Sequence, residues 1–254
     1  MQPCPDETLF RWIHDGRIPY TNRMDLSWRG NFVSNLLPQS FEAYVKVLHR
    51  IDANYRGVDN PLSPSEVAIL RIPPCKKLKS FVVGLRERSL GTRVRWKALA
   101  EFLDVPFAPE INVGWYRAKL EDGWCWPHLL SGPGDATLGD DCLSELISLL
   151  ARATADEASF FRFSRWQLPH EDKPRLFQGK LPELSAFLQS GRYQFAPEYW
   201  WPASRAWCVC SDYDLQFTVI GGSRDLISIL LTNSVLECIE VAPQTRIDNS
   251  APLP

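Results

Sequence analysis

The prolines constrain this chain more than any other feature. Twenty of them in 254 residues fall singly or in pairs between short apolar runs, never in a tandem tract. Each fixes φ and removes a backbone donor, so helices and inner strands rarely continue through it. The apolar residues must therefore be gathered from many short elements, and long helices cannot dominate. With 45% hydrophobic and 12% aromatic residues there is ample material for a core. The length suits one large domain or two small ones.

Residues 1–37 mix short apolar clusters with polar turns and read as an irregular lead-in, broken at Gly16-Arg17-Ile18-Pro19. Over 41–49, Phe41, Tyr44, Val45 and Leu48 fit helical spacing, while positions 41, 43, 45 and 47 fit alternation. The crowding of β-branched and aromatic residues favours a strand. Ser63, Pro64 and Glu66 form a capping signature that predicts a short helix within 61–70. A basic stretch follows, with a strand expected over 80–85. Residues 94–103 read as a brief extended piece running into a helix that stops before Pro106, and two aromatic-rich patches (111–116 and 124–126) precede a glycine and proline loop.

The clearest helix starts at Asp140 or Asp141 and runs to Ala153, with Leu143, Leu146, Ile147, Leu149 and Leu150 as its apolar stripe. Strands are expected over 159–166 and 175–178, and a helix over 181–188. From Pro197 the order is turn, strand (206–210), acidic turn (211–214), strand (215–220), Gly221-Gly222, helix (224–231) and strand (236–241). The expected fold is α+β: mostly antiparallel sheet, several short helices, and a late β-hairpin followed by a helix and a strand. It occupies a single domain over 38–242, with a candidate sub-boundary at 130–139 and a frayed tail over 243–254.

Residues 197–222 concentrate the unusual side chains: Trp200, Trp201 and Trp207, Cys208 and Cys210, Asp212 and Asp214, and the glycine pair. Each has a plain structural role to set beside a chemical one. A catalytic thiol needs a helix N-terminus or a cation to lower its pKa, whereas Cys208 and Cys210 lie in a strand. The two aspartates suit turn chemistry better than acid–base work or a hard cation. Gly221-Gly222-Ser223 lacks the lysine or third glycine of a phosphate loop and reads as a strand end. Metal is opposed by the scatter of His14, His49, His128 and His170, of which only His128 has a cysteine, Cys125, close by. No cofactor is implied.

Trp200, Trp201 and Trp207 with Arg205 differ in kind, because aromatic and arginine residues are what interface hot spots are made of. Their structural alternative is an anchor, with the indoles plugging one end of the sheet and Arg205 bonded to Asp212 or Asp214. Trp200, Trp201, Arg205, Trp207, Asp212, Asp214 and His49 are thus the candidate interface or pocket residues.

The net charge of −2 and pI near 6.1 give no global reason to expect nucleic acid or an anionic membrane. Between Arg71 and Lys97 nine basic residues face Glu87 alone, and Phe81 and Trp96 interleave them, yet no recognition motif frames this stretch. A solvated basic face is the simpler reading. No apolar run approaches the length of a membrane span, and no signal peptide is visible. Seven cysteines without framework spacing suit buried free thiols in a reducing cytoplasm.

The segments around Phe41-Glu42-Ala43-Tyr44 and Val94-Arg95-Trp96, the helix from Leu143, and above all Trp200-Trp201-Pro202-Ala203, Arg205-Ala206-Trp207-Cys208-Val209, Asp212-Tyr213-Asp214 and Val219-Ile220-Gly221-Gly222-Ser223 resemble a group of bacterial proteins with no assigned activity. The resemblance spans about residues 38–241. In that group an aspartate precedes the arginine; Ser204 stands in its place here, which weakens an active Asp–Arg pair. The layout of a leading apolar segment after Leu37-Pro38, then late strands and a helix, is similar to the immunity and scaffold superfamily that includes the yeast cell-wall regulator family. That similarity implies a non-enzymatic protein that binds another protein, with a toxin among the candidate partners. The leading expectation is therefore a protein-binding module using the exposed members of the 200–214 block. The alternative is a small-molecule binder or enzyme whose pocket the tryptophans wall.

Overall fold

The computed structural model describes residues 1–20, 30–59, 76–87, 92–120, 129–135, 138–164, 175–190 and 195–249. The chain begins with β1 (Gln2–Pro3), a 3-10 turn (Glu7–Phe10), α1 (Arg11–Gly16), α2 (Val33–Leu36) and β2 (Ala43–Leu48). There follow β3 (Ile51–Ala53), α3 (Tyr55–Asp59), α4 (Lys76–Glu87), β4 (Arg93–Val94), α5 (Trp96–Leu103), α6 (Val113–Leu120) and β5 (Leu130–Ser131). The remainder is α7 (Asp140–Thr154), β6 (Ala158–Phe163), β7 (Arg175–Lys180), α8 (Glu183–Gln189), β8 (Tyr199–Pro202), β9 (Cys208–Cys210), β10 (Phe217–Gly222), α9 (Arg224–Thr232) and β11 (Cys238–Val241).

The chain divides into two compact units, residues 1–49 with 135–248 and residues 50–134 with 249–254, where one domain over 38–242 was expected. One division, at Gly134 and Asp135, falls inside the glycine and proline loop marked as a candidate sub-boundary. The other, at His49 and Arg50, has no compositional signal, because the chain passes from β2 to β3 through only those two residues.

The first unit holds an eight-stranded sheet in the order β1-β7-β6-β8-β9-β10-β2-β11, antiparallel throughout. Register sorts its side chains onto two faces, since directly opposed residues point the same way. Ile220 lies opposite both Val45 and Val209, Trp200 opposite Val209 and Phe161, and Phe161 opposite Phe177. This face packs against Leu146, Ile147 and Leu150 of α7, Leu184 of α8 and Leu226, Ile227 and Leu230 of α9. The expected amphipathic helix over 140–153 thus covers the sheet as its stripe requires.

The second face carries Tyr44, Lys46, Val219, Cys208, Cys210, Tyr199 and Trp201. It is covered by the segment read as an irregular lead-in: the Phe10 ring packs 5.1 Å from Tyr199 and 6.0 Å from Trp201, and Trp12 packs 6.4 Å from Trp201. Every residue of β2 is consequently buried, which explains why its sequence shows no clean alternation. Within the tail expected to fray, Ile247 and Asp248 are buried, Arg246 Nε donates to Asp248 Oδ2 at 2.7 Å, and Arg246 bridges to Phe32; residues 250–254 lie outside the described residues.

In the second unit β3 pairs with β4 and β5. The strand expected over 80–85 is instead the middle of α4: Leu78, Val82 and Leu85 are buried at helical spacing, and Phe81 stacks on Phe102 at 4.6 Å. The run of bulky residues at 81–83 imitates a strand, but the longer period decides. The helix before Pro106 is present and ends at Asp104 in a left-handed conformation, φ 54°. The aromatic patch at 111–116 opens α6, whose first N–H groups, from Gly114 and Trp115, are accepted by Asn112 Oδ1. The helix expected within 61–70 lies outside the described residues, as does the 124–126 patch.

Candidate functional site

The β8–β9–β10 segment contains most of the residues singled out from the sequence, and it separates them. Trp200, Trp201 and Trp207 are at most 1% exposed, so they form no contact surface. Trp200 meets Trp207 edge-on at 6.1 Å on the helix-covered face, where Trp207 Nε1 donates to Thr154 Oγ1 at 2.9 Å. Trp201 fills the opposite face between Phe10, Trp12 and Phe160. One strand thereby sends adjacent indoles into both layers of core, which is the anchor role.

Arg205 does not bond Asp212 or Asp214. It sits in the β8–β9 turn at φ 59° with its guanidinium 5.3 Å from the Trp12 ring, at the far end of β9 from the aspartates. Ser204 beside it donates from Oγ to Glu157 Oε2 at 2.8 Å, and its N–H donates to the other carboxylate oxygen. An aspartate at 204 would face Glu157 instead, so the serine suits its neighbour.

His49 is buried, with Nε2 3.0 Å from Thr218 Oγ1, which in turn is 2.8 Å from Ser211 Oγ. All three are at most 1% exposed, so this chain of hydroxyls and imidazole ties β2 to β10 away from solvent. Burial pushes the thiols of Cys208 and Cys210 well above the usual range, the reverse of what a nucleophile needs. Both cysteines are buried because both sheet faces are covered. At the start of α9 the Arg224 N–H donates to Glu42 Oε2 at 3.0 Å and the Leu226 N–H to Ser223 Oγ. The helix N-terminus is thus capped by the protein's own carboxylate. Among the described residues no group of three His, Cys, Asp or Glu could hold a metal, and Cys125, His128 and His170 lie outside them.

Asp212 behaves as turn chemistry predicts: its Oδ1 accepts the Asp214 N–H at 2.9 Å and its carbonyl accepts the Leu215 N–H at 3.2 Å. Around it the structure assembles a cluster that sequence reasoning missed. Arg162 on β6 donates from Nη1 to Glu198 Oε2 at 3.1 Å, both side chains being only 16% exposed, and its guanidinium stacks 4.1 Å over the Phe10 ring. Arg17 donates to the Tyr199 hydroxyl at 2.7 Å, and that hydroxyl donates to the Leu36 carbonyl at 3.2 Å.

Desolvation governs the titration of this cluster. Burial pushes Glu198 up to about 6, against the opposing pull of Arg162, and the charge of Asp212 adds to the rise. Burial also raises Asp212, partly offset by the Asp214 N–H. The phenols of Tyr20 and Tyr213 are raised too, first by burial and next by Asp212 and Asp214 respectively; Glu198 contributes to both. Four large hydrophobic residues are exposed among the described residues: Ile18, Tyr20, Tyr213 and Ile229. Of these, Tyr213 sits between the two aspartates, and the charge of Asp212 reaches the Tyr20 phenol. The exposed tyrosine between Asp212 and Asp214 was visible in the sequence, but only the tertiary fold brings Arg17 and the Tyr20 phenol within range of the Asp212 charge.

No family model, no curated protein and no solved structure matches the chain. Among the described residues no helix is long and apolar enough to cross a membrane.

Proposed function

We propose that the protein is a non-catalytic protein-binding module whose docking surface is formed by Tyr20 and Tyr213 with Asp212 and Asp214. The observation that carries this reading is that two of the four large hydrophobics exposed among the described residues, Tyr20 and Tyr213, feel the charge of the same carboxylates, Asp212 and Glu198. Aromatic residues standing out of an otherwise polar surface mark interaction sites. Arg205, at the other end of β9, lies outside this surface, and the tryptophans act behind it by holding the sheet rigid. A rigid platform lowers the ordering cost of docking. The burial of Cys208, Cys210 and His49 supports the non-catalytic side of the proposal. The free thiols at Cys4, Cys142, Cys208, Cys210 and Cys238 fit a cytoplasmic setting. An immunity-like role, with a toxin as partner, is the version that the sequence resemblance implies.

The test is affinity capture from a native bacterial lysate with wild type and a Tyr20→Ala/Tyr213→Ala variant of unchanged circular dichroism. Wild type should retain a partner in fixed stoichiometry that the variant loses. Identical captured sets would sink the proposal.

A further inference from the structure

We propose that residues 5–15 are a releasable strap: fastened at both ends, they lift together from the second face of the large sheet while the sheet beneath stays folded. The inference does not depend on the docking reading above.

The main chain fastens this segment only at its ends. On one side the Cys4 N–H donates to the Leu176 carbonyl at 2.8 Å, continuing the β1–β7 pairing. On the other the Gly16 carbonyl accepts the Gln39 N–H at 3.3 Å, and the Ile18 N–H donates to the Ser34 carbonyl at 2.7 Å. Between these points the hydrogen bonds are internal: Glu7 N–H to the Pro5 carbonyl, Leu9 N–H to the Asp6 carbonyl, Thr8 to the Asp6 carboxylate and His14 to Asp15. Among the described residues no hydrogen bond joins residues 5–15 to the sheet. Side-chain packing alone holds them there, through Phe10 against Tyr199 and Trp201 and through Trp12 against Trp201.

The same interface holds two donors without an acceptor, Trp12 Nε1 and Arg162 Nε, both buried. Arg162 spends Nη1 on Glu198 at 3.1 Å and lays its guanidinium 4.1 Å over the Phe10 ring. A buried donor with no partner is a cost of the closed state, and water removes it on opening. The sheet does not need the strap for its own ladder. The strands beneath, β6 and β8, are inner strands paired on both edges, and the opposite face keeps the cover of α7, α8 and α9. Opening therefore breaks side-chain contacts but no ladder bond, which places it below global unfolding in free energy. Closed, the strap withholds an aromatic face; open, it presents Tyr199 and Trp201 to solvent. Trp200, next in sequence to Trp201, points into the helix-covered face with Trp207 and stays covered in both states.

That pair of adjacent indoles supplies the test. The full chain is treated with limiting N-bromosuccinimide in stepped urea, and each tryptophan is scored in singly modified chains by tandem mass spectrometry, with global unfolding followed by circular dichroism. Below the global transition Trp201 should be modified at least about tenfold faster than Trp200 and Trp207. Phe10→Leu keeps an apolar side chain but gives up the ring against Tyr199 and under Arg162. It should raise the Trp201 rate by about fivefold or more, the size of one aromatic or cation–π contact, and leave Trp200 and Trp207 unchanged. Modification of all three indoles in step with the global transition would overturn the proposal, as would a Phe10→Leu effect shared equally by Trp200 and Trp207.

Discussion

Glu198 offers the sharpest quantitative test of the site. Its carboxyl is held near pH 6 by burial, whereas the same group in the unfolded chain titrates near its ordinary value of about 4.3–4.5. The folded protein therefore binds this proton more readily than the unfolded chain. The stability associated with Glu198 is fully present below the unfolded value and is lost as pH rises through about 6. A difference of about 1.5 pH units corresponds to about 2 kcal/mol at 1.36 kcal/mol per unit. Acidification from pH 7.5 to 3.5 should add about that amount to wild type through this group. Glu198→Gln keeps an acceptor for Arg162 and removes the desolvated charge, so its stability should lack the increment. The assay is urea unfolding followed by tryptophan fluorescence at half-unit pH steps, comparing the two proteins by difference so that other titrating groups cancel. The gap between them should change by about 2 kcal/mol, centred between pH 4.5 and 6. A gap independent of pH would show that Glu198 is not a desolvated carboxylate, and the account of the cluster would fail with it.

Three further outcomes follow from the packing. Gly221→Ala places a methyl group against the Phe41 ring and should cost about 1–3 kcal/mol in the same urea assay, part of which Phe41→Leu in the same chain should restore. Trp207→Phe removes the donor to Thr154 Oγ1 in a buried setting and should cost about 1–3 kcal/mol, whereas Thr154→Ser, which retains the acceptor, should cost less. Cys208 and Cys210 should resist iodoacetamide at pH 8 in the native protein and react once denaturant opens the sheet, as peptide mass spectrometry will read; native labelling at either would contradict their burial.

The sequence announced those elements whose pattern is local. The leucine stripe of α7, the extended piece into α5 and the β9–β10 hairpin all appear where spacing placed them, because a helix face or a turn is written in adjacent residues. Elements decided by long-range cover were misread. Residues 1–17 carry no periodic signal, yet Phe10 and Trp12 close the second face of the sheet. The strand expected at 80–85 is helical because partners at Leu78 and Leu85 outweigh the bulky run between them. The same limit applies to the site. Asp212 and Asp214 were recognisable as turn-makers, and the aspartate-flanked Tyr213 was in plain view. Glu198, Arg162 and Arg17 come together only through β6–β8 pairing and the fold of the N-terminal segment over it. No short-range pattern encodes that meeting.

The covered strand β2 has a consequence for synthesis. Its neighbours are β10 and β11, so Val45 must find Ile220 and Glu240, and residues 50–134 of the second unit are made in between. At about 5–20 residues per second, β2 leaves the ribosome on the order of 10–35 s before its partners exist. During that interval an apolar strand destined for the centre of a sheet has both edges open, the condition in which strands of different molecules pair. Lys46 is the sole charge in Ala43–Leu48. In the finished protein its Nζ lies 4.7 Å from the Phe217 ring in a buried setting; in the nascent chain its charge opposes the stacking of one copy of this strand on another.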